Sequence, residues 1–137
     1  MDDNNISNNK AIEKLSEAVK GLLWLSESEY PWQTVYWQDV NHLNCQTVLQ
    51  HCNYHPETKI ITKTIDSFFK LAMKEREWYD EAERAEVKQY RDLYSLLKNN
   101  LEDIKVYLVG EVEIDVYVLG KSDDKEIIGL STKTVET

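Results

Sequence analysis

Four glycines and two prolines in 137 residues are too few for a collagen-like, low-complexity or linker-dominated chain. Cysteine is scarce as well: Cys45 and Cys52 alone exclude a disulfide framework and fit two reduced thiols inside a cell. No run approaches the ~18 apolar residues that a membrane span needs. The polar opening Met1 to Asn9 lacks the basic start and apolar stretch of a secretory signal, so the expected location is cytoplasmic. Positive charge is also in short supply, with 16 Lys and Arg against 25 Asp and Glu and a formal charge of −9. Such a surface repels nucleic acid and anionic membrane and attracts a basic protein. It can also imitate a phosphate chain, because steering depends on where charge sits rather than on what carries it. No phosphate-cradling glycine loop, Gly-x-Ser-x-Gly elbow, His-Glu-x-x-His helix or dinucleotide fingerprint occurs, which removes the common motif-bearing enzymes.

What is present is the balance of a packed domain: 42% apolar and 30% charged residues. Residues 1–9 read as a disordered tail and 10–137 as one domain. Ile12, Leu15, Val19, Leu22 and Leu23 recur at helical spacing and predict a helix over Lys10 to Leu23, capped from Ser7 to Asn9. The acidic segment Ser26-Glu27-Ser28-Glu29-Tyr30-Pro31 breaks that pattern and predicts a loop before a short strand at Thr34 to Trp37. Asn41 to Thr58 reads as irregular, with a short strand around Thr47 to Leu49. Ile65 to Met73 predicts a short helix, and Asp80 to Leu101 a longer one with the stripe Tyr90, Leu93, Tyr94, Leu97 and Leu101. Between them Lys74 to Tyr79 is a charged junction in which Trp78 faces solvent. The last third changes period. Val112, Ile114, Val116 and Val118 alternate with Glu111, Glu113, Asp115 and Tyr117, the pattern of a strand with one buried face. Val106 to Val109 precedes it, Lys121 to Lys125 turns, and Ile127 to Val135 returns. Helices early and strands late predict an α+β domain with an antiparallel sheet.

Three groups of residues invite chemistry. His42, Cys45, His51, Cys52 and His55 are ligand types that zinc prefers, but no Cys-x-x-Cys pair organises them, and the spacing fits ordinary loop residues. Glu111, Glu113 and Asp115 could hold a cation or act as an acid and base pair. Their alternation with β-branched residues already accounts for them as a solvated outer face, and no nucleophile accompanies them. A metal-binding or hydrolytic domain built on either group is the alternative reading. The third group is the acidic loop around Glu27.

There the sequence resembles the nuclease A inhibitor family, and the likeness spans nearly the whole chain. It is carried by Gly21-Leu22-Leu23 with Ser26 to Pro31, by Asp66-Ser67-Phe68-Phe69 and by Trp78-Tyr79. Gly110-Glu111-Val112-Glu113, Asp115-Val116-Tyr117-Val118, Ser131-Thr132-Lys133 and Val135-Glu136-Thr137 complete it. The resemblance implies a three-layer α-β-α sandwich like that of plant pathogenesis-related proteins. It also implies a non-enzymatic inhibitor, with no cofactor of its own, of a sugar-nonspecific ββα-metal nuclease that cuts DNA and RNA. It assigns Glu27 to the nuclease active site, the terminal Thr137 to the nuclease magnesium, and the family's Asp-Trp contact pair to Glu77 and Trp78. Glu for Asp at 77 lengthens that side chain by one methylene but keeps its charge. The segment 42–55 departs from the family pattern.

Overall fold

The computed structural model describes residues 3–25, 28–38, 40, 42–123 and 125–135, with 3–9 and 25 described by backbone alone. Its elements are α1 (Asp3–Ala18), β1 (Leu23–Leu25), β2 (Glu29–Pro31), β3 (Gln33–Trp37), α2 (Cys45–His51) and β4 (Ile60–Lys63). They continue with α3 (Ile65–Phe69), α4 (Glu81–Asn100), β5 (Glu102–Val109), β6 (Glu113–Lys121) and β7 (Ile127–Val135). The architecture is α+β, as expected. β3 to β7 form one sheet in the order β3-β7-β6-β5-β4 with every neighbour antiparallel, and β1 and β2 form a separate two-stranded hairpin.

Period-two alternation along the long strands splits their side chains between two apolar clusters. Val106 and Leu108 of β5, Ile114, Val116 and Val118 of β6, and Ile128 and Leu130 of β7 pack with Leu15, Phe69, Leu93 and Leu97 from α1, α3 and α4. The residues between them, Tyr107, Val109, Leu119 and Ile127, turn to the other face and meet Val48 and Leu49 of α2. Helices therefore cover both faces, giving three layers. The expectation of one buried and one solvated face for β6 is corrected by this second cover, and Val112 falls in the turn before β6, where it is exposed. Gly110 makes that turn possible: its φ is +114°, and a Cβ there would meet the Glu113 carbonyl at 2.6 Å.

Several local boundaries differ from the sequence expectations. α1 begins at Asp3 rather than Lys10 and ends at Ala18, because the chain turns through Gly21 at φ +70° and releases Leu23 into β1. Within the acidic segment, Glu29–Pro31 is not loop but strand β2, whose Pro31 pairs with Leu23 and Glu29 with Leu25. Residues 45–51 form a helix where a strand was expected. Asn44 accepts from the Thr47 amide and Thr47 accepts from the Asn44 amide, a capping box that starts a helix with only Val48 and Leu49 buried. β4 went unnoticed as an edge strand of four residues. By contrast α4 starts one residue after its expected Asp80, which caps it by accepting from the Glu83 amide at 2.8 Å. β7 has its expected bounds. No helix among the described residues is long and apolar enough to cross a membrane.

Candidate functional site

The hairpin is held against the helix layer by an aromatic cluster. Trp24 stacks on Phe68 with ring centroids 4.5 Å apart and meets Trp32, Phe69 and Tyr90 edge-on. Tyr90, from α4, donates its hydroxyl hydrogen to the Leu23 carbonyl at 2.7 Å and accepts from the Trp32 indole at 3.1 Å. Burial of that hydroxyl pushes its pKa above the ordinary tyrosine range. Trp and Tyr can be buried this way because their single polar atoms find partners, so the rings contribute area without an unmet donor.

On its other side the hairpin meets β7. The Thr132 hydroxyl donates to the Pro31 carbonyl at 2.9 Å, with the Tyr30 carbonyl at 3.4 Å. β2 is thus tied to β7. The expected contact residues Glu27 and Thr137 themselves lie outside the described residues.

Negative charge gathers at this end of the molecule. Burial, then the nearby carboxylates of Glu29 and Glu83, push the Glu86 pKa upward. Glu29 is exposed, and the first turn of α4 carries Glu81 and Glu83. The 74–79 junction lies just ahead of that turn. Trp78 is 74% exposed, set edge-on to Tyr79 at 6.3 Å, with the Arg76 guanidinium 5.8 Å from its ring centre. A tryptophan left this open, with a cation beside it rather than an apolar cover, contributes almost nothing to the core. Glu77 beside it is exposed too. Of the four expected contact residues the structure therefore describes two, and both are open to solvent.

The other candidates separate. His51 lies against the Trp37 ring at 4.2 Å, the His55 Nδ1 accepts from the Glu57 amide at 3.1 Å, and His42 is exposed. Cys45 and Cys52 are half-buried free thiols, and burial raises the Cys52 pKa against the opposing hydrogen bond of Tyr117. Among the described residues no group of three or more His, Cys, Asp or Glu is arranged to hold a metal. Nor do the three strand acids act together: Glu111 sits in the turn, Glu113 is exposed, and Asp115 is half-buried.

Asp115 belongs instead to a cluster that sequence reasoning missed. It accepts a hydrogen bond from the Tyr54 hydroxyl, which is also 2.9 Å from the Tyr117 hydroxyl, and the Lys133 ammonium stands 4.0 Å away. Burial and the carboxylate beside it push the Tyr54 pKa above the ordinary range, and burial pushes Tyr117 up to about 12. Tyr54 and Asp115 are 61 residues apart, so only the fold could reveal the pair.

No curated protein sequence matches the chain. The family model of the nuclease A inhibitor-like protein matches residues 9–137, which take in the hairpin, the exposed Trp78 and the strand that Thr132 ties to it. On that match across nearly its whole length, the chain belongs to the nuclease A inhibitor-like family.

Proposed function

We propose that this protein inhibits a sugar-nonspecific, magnesium-dependent nuclease by entering its active site with the carboxylate of Glu27 and the chain end at Thr137. One contact carries this reading: the 2.9 Å hydrogen bond from Thr132 to the Pro31 carbonyl, which joins the segments leading to both groups. A carboxylate on a hairpin can stand where a scissile phosphate would sit and meet the cations that stabilise its transition state. A terminal threonine offers a hydroxyl and an α-carboxylate, oxygen ligands able to replace an exchangeable water on the nuclease's magnesium. Neither group offers a bond to cut, so the protein acts without catalysis and needs no cofactor of its own. Trp78 supplies apolar anchoring away from the metal and Glu77 a charge beside it, in keeping with the weight of tryptophan in interfaces. The net charge of −9 opposes direct binding to nucleic acid and steers the protein toward a basic partner as a cytoplasmic monomer.

Stoichiometric addition to a ββα-metal nuclease is expected to stop plasmid degradation. Glu27→Gln, or a chain ending at Val135, should each weaken inhibition by about 2 kcal/mol or more, the scale of a lost charged contact in an interface. Trp78→Ala should weaken it by a comparable ~2 kcal/mol. Unchanged potency in both the Glu27 variant and the shortened chain overturns the active-site reading.

A further inference from the structure

A cleft of about 280 Å³ opens on the α2 side of the sheet, walled by Tyr30 of the hairpin and floored by Gln33, Asp115, Tyr117, Ser131 and Lys133. It lies below the range of about 300–1,000 Å³ typical of drug-sized ligands, and so suits one side chain. Its chemistry is directional. A carboxylate only accepts, so Tyr54 donates its single proton to Asp115, and the Tyr117 hydroxyl lies 2.9 Å from the Tyr54 oxygen. The Tyr54 proton is thereby spent on the carboxylate. Among the described residues the Asp115 Oδ1 is paired with the Lys133 ammonium, 4.0 Å away on a half-exposed side chain, and that pair is long and screened. Ser131 and Gln33 add side-chain oxygens to the lining, and Tyr30 and Tyr117 add aromatic rings. Acceptors between aromatic walls fit a planar donor that bonds at its edge and stacks on its face, which is a guanidinium rather than an ammonium.

We propose that this cleft receives an arginine side chain of the nuclease, a contact separate from the metal-directed groups and from Trp78. The assignment rests on the inhibitor reading. It is supported by position, since Tyr30 and Ser131 flank the Thr132 to Pro31 contact, and by charge, since a protein of −9 draws a basic partner. The docked guanidinium displaces Lys133 from Asp115 and takes two acceptors in its place.

The test begins without the nuclease. Isotope-labelled protein is titrated with N-acetyl-arginine amide, and saturable shifts are expected at the amides of Asp115, Tyr117 and Ser131. Asp115→Asn keeps an acceptor for Tyr54 and should weaken this binding about 10-fold, the loss of one charge-assisted bond. Lys133→Met should tighten it about 2-fold by removing the competing cation. N-acetyl-lysine amide should bind more weakly than the arginine probe. Shifts absent from the cleft, weaker binding in Lys133→Met, or inorganic phosphate saturating the same amides each overturn the proposal. With the nuclease, Asp115→Asn should raise the inhibition constant about 10-fold. An unchanged constant for Asp115→Asn beside a potent parent protein overturns the arginine contact alone. A parent protein that inhibits no such nuclease overturns the inhibitor reading instead, and the probe titration then still decides what the cleft takes.

Discussion

The two faces of the central sheet are covered in different ways. Toward α1, α3 and α4 the strands present Val106, Leu108, Val116, Val118, Ile128 and Leu130, every one buried, and the aromatic cluster around Phe69 extends that core to the hairpin. Toward α2 the cover is a helix of seven residues, and the same strands carry Tyr107, Asp115, Tyr117 and Lys133 in place of an unbroken apolar surface. The Tyr107 hydroxyl is buried there without a hydrogen-bond partner among the described residues. One face is unbroken apolar core, and the other gives up apolar area to polar groups, of which Lys133 is exposed and Asp115 and Tyr117 are half-buried. Binding features can therefore sit on a sheet without loosening it, provided the opposite face carries most of the stability.

Four measurements break or sharpen that contrast. Phe69→Ala removes a fully buried ring between Trp24, Trp32 and Tyr90 and should cost about 3–5 kcal/mol in denaturant unfolding. A loss below ~1 kcal/mol would mean that the helix-side core is not the stabilising one. Next, Tyr54→Phe deletes a hydrogen bond to a carboxylate on the opposite face and should cost about 1.5–3 kcal/mol. Removing the caps compares the helices directly: Asp80→Ala on α4 and Asn44→Ala on α2 should each cost ~1 kcal/mol, and a larger loss at Asn44 would show that α2 has little else to hold it. Smallest is Tyr107→Phe, which removes the unpartnered hydroxyl and should be neutral or stabilising by up to ~1 kcal/mol, opposite in sign to its neighbour Tyr54.

Alkali gives a further handle on the α2 side. Burial raises Tyr107 and Tyr117 each to about 12 from an ordinary 10. At pH values between those limits the folded chain holds protons that the unfolded chain has released, so stability must fall as pH rises. This contribution is fully present below pH 10 and is lost as pH passes through about 12. Unfolding midpoints followed from pH 9 to 12 should drop, and Tyr107→Phe should blunt the drop. A flat profile would sink the assignment of these rings as buried.

How much of this was legible depended on periodicity and reach. α4 and β7 were readable because each repeats its apolar signal over many residues and is bounded by strong local chemistry, the Asp80 capping box or the turn at 121–125. α2 and β4 were not, since seven and four residues carry too little period to outweigh neighbouring turn formers. The hairpin hid for a different reason: its strands of three residues are held by Trp24, Tyr90 and Thr132 from distant parts of the chain. The exposure of Trp78 was legible from its charged surroundings, whereas Glu77 was singled out by the family resemblance alone. The cluster of Tyr54, Asp115 and Tyr117 was not, because Tyr54 meets the other two across 61 and 63 residues, and separation of that kind leaves no trace in local pattern.

The tie between Thr132 and Pro31 also works as a gauge. Because side chains alternate along a strand, inserting a single residue just before Thr132 would turn its hydroxyl to the other face and unhitch β7 from the hairpin. A redesigned version of this protein should therefore change residue types in β7 while keeping their number.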